Sequence, residues 1–163
     1  HIDNSEIRIV NLHLTRVGQH GVTDSLTSLY AKAIKLTEFE SINDRRKLAQ
    51  AKEIIDSIAN EERPTILSGD FNDTPNGQVY RLFSNHYTDA FSVRGWGLGA
   101  TFGEATIRKE FSGSFFERFI AKDIIRIDHI FVSSHFKVES ARVITDAVGS
   151  DHKPVMARLR IME

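Results

Sequence analysis

Carboxylate, carboxamide and imidazole side chains gather at a few points of this 163-residue chain, each beside an apolar run. These residues are His13, Asp70, Asn72, Asp128, Asp151 and His152. Strands that deliver oxygen ligands at their ends can position a hard metal ion or a catalytic base. Carboxylates with two histidines and no thiol suit an oxygen-rich Mg²⁺ or Mn²⁺ site with flanking imidazoles.

The segment 63–75, RPTILSGDFNDTP, changes most abruptly from apolar to polar. Its residues 65–67 are β-branched or aliphatic, and Pro64 precedes them, where a strand tolerates proline. Gly69 ends the run, and two carboxylates and a carboxamide follow within four residues. The alternative interpretation is a strand followed by an ordinary turn, because Asp, Asn and Pro are common turn residues.

The sequence lacks the motifs of two other hydrolase classes. It contains no H-E-x-x-H for zinc and no G-x-S-x-G for a serine nucleophile. A glycosidase with two carboxylates stays open, but that mechanism leaves the paired histidines unexplained. Asp128 is expected on one strand face with Arg126, Ile130 and Val132. A carboxylate buried there costs several kcal/mol without a partner, so we expect it to pair with a histidine.

Length, charge and composition limit the number of domains and the kinds of function that the chain can have. The chain has the size of one domain and is long enough for a substantial core. Its 21 basic and 22 acidic residues give no strong electrostatic case for nonspecific nucleic-acid binding. The absence of cysteine excludes disulfides and thiolate metal sites and leaves the cellular compartment open. We find neither a membrane-length apolar stretch nor a signal-peptide pattern.

Hydrophobic periodicity predicts strands with interposed helices early in the chain and consecutive strands late. The predicted strands are 7–14, 65–67, 100–103, 124–133, 136–145 and 154–161. The predicted helices are a stripe over 26–36, a clearer helix over 43–59 and a short one over 78–83. Asn76 is expected to cap the short helix, and 84–100 is expected to be a loop. This order indicates a mixed α/β domain with antiparallel pairing.

Four segments together carry a resemblance to a known family. They are NLHL at 11–14, SGDFNDTP at 68–75, RIDHI at 126–130 and SDHKP at 150–154. In this order they resemble the motifs of the endonuclease/exonuclease/phosphatase superfamily, which is deoxyribonuclease I-like. TFG at 101–103 falls where many members have a substrate-side strand. The resemblance covers almost the whole chain and implies an α/β (α+β) four-layer α-β-β-α sandwich with mixed, largely antiparallel sheets.

The resemblance also implies an activity, the hydrolysis of phosphoesters by water attack at phosphorus with Mg²⁺ or Mn²⁺ as cofactor. Asp70 would orient or deprotonate the water, and Asn72 would hold the phosphate or the surroundings of the metal. Asp151 would bind the divalent ion directly or through water. In-line phosphoryl transfer needs such a positioned nucleophile and neutralisation of charge on the equatorial oxygens.

The histidines have roles in the same picture. His152 would contact the phosphoryl group, held in its working tautomer by Asp128, and His13 would be the second imidazole on the developing charge. The substrate class stays open between phosphodiesterase, nuclease and phosphatase types. Nucleic acid is a possible substrate that the net charge does not favour.

The start of the chain departs from the superfamily pattern. Members are typically longer and supply an asparagine and a metal-binding glutamate before the strand that corresponds to 7–14. Because the chain begins at His1 rather than methionine, the resemblance implies that 1–163 is the C-terminal part of an N-terminally truncated domain. Such a piece is expected to be weak or inactive alone. The alternative function is a non-catalytic binding or regulatory module of the same ancestry.

A phenylalanine-rich segment lies at 108–122. Phe111, Phe115 and Phe119 recur every four residues and could share one helical face, although Gly113 weakens that helix. One interpretation is that the rings cover the domain's own core. The other is an apolar flap that meets a lipid-like substrate, a membrane surface or a second chain. We predict a homo-oligomer with Phe115, Phe116 or Phe119 at the contact.

Overall fold

The computed structural model describes residues 6–15, 45–58, 62–102, 125–146 and 149–162. Their strands are β1 (Arg8–His13), β2 (Thr65–Asp70), β3 (Thr88–Asp89), β4 (Asp128–Val132), β5 (Phe136–Val143) and β6 (Val155–Ile161). Their helices are α1 (45–58), α2 (Gln78–Ser84) and α3 (Ala90–Arg94). The helical stripe predicted over 26–36 and the Phe-rich segment 108–122 lie outside these residues.

The strands form two sheets. Four of them have the order β1-β2-β4-β3, and β5 and β6 pair as an antiparallel hairpin. β1 runs parallel to β2, whereas β4 is antiparallel to both β2 and β3. The predicted mixed α/β class is therefore confirmed. Among the described helices, none is long and apolar enough to cross a membrane.

Two apolar clusters cover the two faces of the four-stranded sheet. The first face packs on α1 and α2, and its cluster includes Leu12, Leu67 and Phe131. The second face packs on α3 and the hairpin through residues such as Val132 and Phe136. Because successive strand residues point to opposite faces, the alternation in β2 serves both clusters at once.

Helix α1 lies within the helix predicted over 43–59. Ala51, Ile55 and Ile58 are buried against the sheet, and Arg45 and Arg46 are exposed. Lys47 differs from these two neighbours. It is half-buried, and its Nζ donates to the backbone oxygen of Asn72 at 2.9 Å.

The predicted cap of helix α2 is wrong. The N-cap residue is Gly77 rather than Asn76, and the carboxylate of Asp73 accepts from the Tyr80 amide at 3.0 Å. A side chain at residue 77 would collide with that carboxylate. Gly77 has no side chain that could cap the helix, and the side-chain acceptor is instead Asp73, four positions upstream.

The predicted loop over 84–100 contains two short elements, β3 and α3. Asp89 links them, because its Oδ1 caps α3 by accepting from the Phe91 amide at 3.0 Å. A two-residue strand and a five-residue helix are too short to show a hydrophobic period, so the sequence pattern missed them.

The strand predicted over 124–133 is shorter than expected. It begins at Asp128, and Ile125 makes only an isolated bridge with Phe102. Of the strand predicted at 100–103, the described residues show two isolated bridges of Phe102, one to Ile125 and one to His152. The amides of Ile127 and Asp128 both donate to the Thr101 hydroxyl. Consecutive amides of a strand point in opposite directions, so this shared acceptor excludes regular strand geometry before Asp128.

Candidate active site

Strand register places three of the predicted site residues in one row. The parallel pairing aligns His13 of β1 with Asp70 of β2, and the antiparallel pairing aligns Asp70 with Asp128 of β4. Residues aligned across neighbouring strands point to the same face of a sheet. His13, Asp70 and Asp128 therefore lie side by side at one end of the second face.

Gly69 allows β1 and β2 to approach closely beside this row. Its φ is +140°, and a Cβ there would collide with the carbonyl oxygen of Leu12 on β1. Glycine is therefore required at the position just before Asp70.

His152 reaches the row from the loop before β6. Its Nδ1 donates to Asp128 Oδ2 at 2.9 Å, which confirms the predicted contact between the two residues. Its Nε2 lies 4.0 Å from Asp70 Oδ2. Because the carboxylate of Asp128 can only accept, the proton of a neutral imidazole resides on Nδ1, and the Nε2 lone pair faces Asp70.

His13 approaches the same carboxylate from the other side. Its Nε2 lies 3.5 Å from Asp70 Oδ2, and its side chain is 74% exposed. A cavity of about 430 Å³ opens here, lined by His13, Leu14, Thr15, Asp70 and His152. Two imidazoles and one carboxylate thus meet at a space that is open to solvent and large enough for a phosphoryl group and a water.

Burial raises the pKa of the Asp70 carboxyl above its usual range, and the negative charge of Asp128 raises it further. The backbone amide of Asn72 opposes this shift in the pKa, because it donates a hydrogen bond to Asp70 Oδ1 at 2.7 Å. A carboxyl with a raised pKa holds a proton more strongly than an ordinary aspartate, which suits a general base.

Asn72 organises the ends of β1 and β2. It has a positive φ of 48°, and its Nδ2 donates to the backbone oxygen of Leu14 at 2.7 Å. Its backbone oxygen accepts from Lys47. These contacts orient Asp70 and close the turn. Direct contact of Asn72 with a phosphate or a metal stays a prediction.

The donors in this region fit a divalent cation. Among the described residues, Asp70, Asp128 and His152 offer ligand atoms that all lie within 4.8 Å of one another. Asp128 and His152 already satisfy each other through one oxygen and one nitrogen, which leaves the second oxygen of Asp128, the carboxylate of Asp70 and His152 Nε2 as possible ligands. Oxygen donors and two negative charges suit Mg²⁺ or Mn²⁺. Asp151, the predicted metal ligand, is exposed and is not part of this group.

A buried polar network behind the site was not predicted. Arg126 Nη1 donates to Asp89 Oδ2 at 2.6 Å and contacts His129 Nδ1 at 3.1 Å. The Tyr80 hydroxyl donates to the same oxygen of Asp89 at 2.8 Å. Arg126 thus faces Asp89 and His129, on the opposite side of β4 from Asp128, so the expectation that it shares a strand face with Asp128 is wrong.

The network closes on the turn that follows Asp70. His129 Nε2 donates to the backbone oxygen of Asp73 at 2.9 Å, while Tyr80 binds the Asp73 carboxylate through its own amide. Burial lowers the pKa of His129, and the nearby Arg126 charge lowers it further, so the imidazole is neutral. An arginine and an aspartate inside apolar runs were the only signals of this network in the sequence.

A comparison with protein families places the chain in a known class. A profile described as the Endonuclease/Exonuclease/phosphatase family matches residues 14–152. The chain belongs to this family. The resemblance stated from the four motifs is therefore confirmed. A comparison with curated proteins gave no match.

Solved structures agree with this assignment. An endonuclease/exonuclease/phosphatase from Bacteroides vulgatus is 27% identical, with a TM-score of 0.57 over 73% of this chain and 45% of that one. A mannosyl-6-phosphatase from Bacteroides thetaiotaomicron VPI-5482 is 25% identical, with a TM-score of 0.56 over 94% of this chain and 51% of that one. A functionally unknown conserved protein from Enterococcus faecalis V583 shares the fold at 20% identity and a TM-score of 0.61, over 94% of this chain and 50% of that one. The chain thus spans about half the length of these structures.

Proposed function

We propose that the chain carries catalytic residues of a divalent-metal-dependent phosphoester hydrolase that acts by water attack at phosphorus. The observation that supports this most directly is the alignment of Asp128, His152 and Asp70. One carboxylate fixes the imidazole through Nδ1, and the free Nε2 faces a second carboxylate at 4.0 Å. That gap is too wide for a direct hydrogen bond and leaves room for a substrate or water oxygen.

Each group has a distinct task in this proposal. Asp70, with its raised pKa, orients the water and accepts its proton. In its protonated form, His152 donates from Nε2 to a phosphoryl oxygen while Nδ1 keeps its hydrogen bond to Asp128, and His13 donates to a second oxygen from the exposed side. Protonated imidazoles stabilise negative charge that develops on these oxygens.

The cation would be held by carboxylate oxygens of Asp70 and Asp128, which belong to one group of ligand atoms within 4.8 Å of one another. Asp151, on the exposed loop that also carries His152, stays the further ligand predicted from the sequence. When bound, Mg²⁺ or Mn²⁺ supplies charge neutralisation at the phosphoryl group. Asn72 would complete its surroundings. The arrangement suits a cation that binds weakly to this chain, because such ions take about six oxygen ligands and Asp70, Asp128 and Asp151 offer only part of that set.

The similarity to a mannosyl-6-phosphatase supports including sugar phosphates among the candidate substrates, beside nucleotides and phosphodiesters. We infer in addition that residues 1–163 are the C-terminal part of a larger catalytic domain. Support for this comes from the share of the solved structures that the chain covers, which is about half. Full activity would then need the remainder.

The proposal is tested with a panel of phosphomonoesters and phosphodiesters, assayed on this chain and on a longer form of the protein, with Mg²⁺, Mn²⁺ or a chelator. We expect hydrolysis that requires the metal, is faster in the longer form, and falls at least about 100-fold in Asp70→Asn and His152→Ala. Asp56→Asn and His86→Ala, which change exposed residues outside the cavity, serve as matched controls. Hydrolysis that resists chelator, or that survives Asp70→Asn, would refute the proposal.

The alternative is a binding or regulatory module of the same ancestry, which the partial coverage of the solved structures favours. Calorimetry with Mn²⁺ discriminates the two functions together with the activity panel. A module without catalysis would give no hydrolysis in either form of the protein. The hydrolase would give hydrolysis in the longer form and would also bind Mn²⁺, with weaker binding in Asp70→Asn.

A further inference from the structure

The pair Asp128–His152 joins two separate sheets. Asp128 is the first residue of β4 in the four-stranded sheet, whereas His152 lies three residues before the β6 strand of the hairpin. A side-chain hydrogen bond across two sheets depends on whatever fixes their relative position. The dipeptide Thr101–Phe102 contacts the backbone on both sides of this junction.

Thr101 holds the Asp128 side. Its side chain is fully buried, and its Oγ1 accepts from the amides of Ile127 at 3.1 Å and Asp128 at 3.2 Å. Its own amide donates to the Ile125 oxygen at 2.9 Å. One hydroxyl thus fixes the backbone at the residue whose carboxylate binds His152.

The same dipeptide holds the His152 side. The Thr101 oxygen accepts from the Lys153 amide at 2.8 Å, and Phe102 forms bridges with both Ile125 and His152. The Phe102 ring packs against the His152 imidazole, with centroids 4.8 Å apart and planes tilted by 50°. This contact restricts the rotation of the imidazole about its χ angles.

We propose that Thr101 and Phe102 are positioning residues that keep Asp128 and His152 in hydrogen-bond contact. Thr101 sets the carboxylate through the Asp128 amide, and Phe102 sets the plane of the imidazole. This proposal extends the proposed function and rests on it only for the statement that the Asp128–His152 pair takes part in catalysis. Its test measures the hydrogen-bonded state of His152 and not the rate of hydrolysis.

The experiment measures the tautomer of neutral His152 in this chain by long-range ¹H–¹⁵N correlation, with His152→Gln to assign the signals. In the unchanged chain the Nδ1–H form dominates. We expect the ratio of Nδ1–H to Nε2–H to fall about tenfold in Thr101→Val, which loses the acceptor but keeps the shape. Thr101→Ser keeps the hydroxyl and restores the original ratio, and Phe102→Leu gives an intermediate one. Thr88→Val, which changes an exposed threonine, leaves the ratio unchanged.

A folded Thr101→Val chain with the original tautomer ratio would overturn the proposal, because the hydroxyl would then be only a buried hydrogen-bond partner. If Thr101→Val does not fold, Thr101→Cys takes its place, since a thiol is a weaker acceptor at the same position. An unchanged ratio in that variant overturns the proposal equally. If Thr101→Val lowers the ratio of Nδ1–H to Nε2–H but neither this chain nor the longer form hydrolyses a phosphoester, the proposed hydrolase function is disproved. The positioning role of Thr101 and Phe102 then still stands.

Discussion

Asp70 combines its proposed catalytic role with an energetic cost. Its carboxylate is half-buried beside a second carboxylate, so ionising it is harder than ionising an ordinary aspartate. The amide of Asn72 and the two imidazoles compensate only partly. Residues that carry such a cost are expected where function, rather than folding, has set the residue type.

This cost predicts that Asp70→Asn stabilises the fold while removing the proposed hydrolase activity. A pKa raised by folding means that Asp70 supports the folded state below its unfolded pKa, near 3.8, and loses this contribution as the pH rises through the folded pKa. At neutral pH the ionised carboxylate therefore destabilises the fold, and an uncharged asparagine removes the penalty. Urea unfolding at neutral pH should give a higher free energy of unfolding for Asp70→Asn, and no gain at a pH below 3.8. A less stable variant at neutral pH would contradict the assignment, and Asp56→Asn is the control.

At the scale of elements, β4 serves two sites with its two faces. Asp128 lies on the face that carries Asp70 and binds His152, while His129, the next residue, points to the buried network of Arg126, Asp89 and Tyr80. The network binds the turn after β2 through the backbone oxygen of Asp73. The buried network therefore fixes the spacing between β4 and that turn, and hence the spacing between Asp128 and Asp70, from the opposite face of the sheet.

The neutral state of His129 predicts a loss of stability in acid. Because folding lowers its pKa, its contribution is present above the unfolded value of 6.5 and is lost as the pH falls below it. Protonation would also place a second positive charge beside Arg126. The free energy of unfolding should decrease from about pH 7.5 to about pH 5 in the unchanged chain and decrease less in His129→Gln, which does not titrate. His86→Gln, at an exposed position, should leave the slope unchanged. Equal slopes for all three proteins would show that His129 is not buried neutral.

The residues that the sequence located best are those tied to a strand end. His13 and Asp70 followed from short apolar runs that end in polar residues, and Asp128 followed from being a carboxylate among apolar strand neighbours; register then brought the three together. The network of Asp89 and Arg126 could not be found in this way, because its members come from short elements without a hydrophobic period and meet only through tertiary packing. The cap of α2 failed for a related reason, since Asp73 reaches it from outside the usual capping position.

At the scale of the whole molecule, the described residues cover the second face of the four-stranded sheet only in part. Ile9 of β1 is 71% exposed on this face, and Ile66 and Ile130 are only partly buried. Since the chain spans about half of the solved structures that it matches, a larger protein would have further residues available to cover this surface. Exposed apolar area of this kind favours association.

We therefore expect this chain to self-associate in solution. The sequence predicts that Phe115, Phe116 or Phe119 contributes to the contact, and the structure adds Ile9, whose side chain lies on the open face. Light scattering over a dilution series should give a mass above that of one chain, 18.5 kDa, because burying apolar surface between copies releases water at both. Ile9→Lys should shift the mass toward the monomer, as should Phe115→Ser if the segment 108–122 takes part. Lys137→Ala, an exposed change on β5, is the control for altered surface charge. A monomer at every concentration would mean that the chain covers this face by itself, and the prediction of a homo-oligomer would then be wrong.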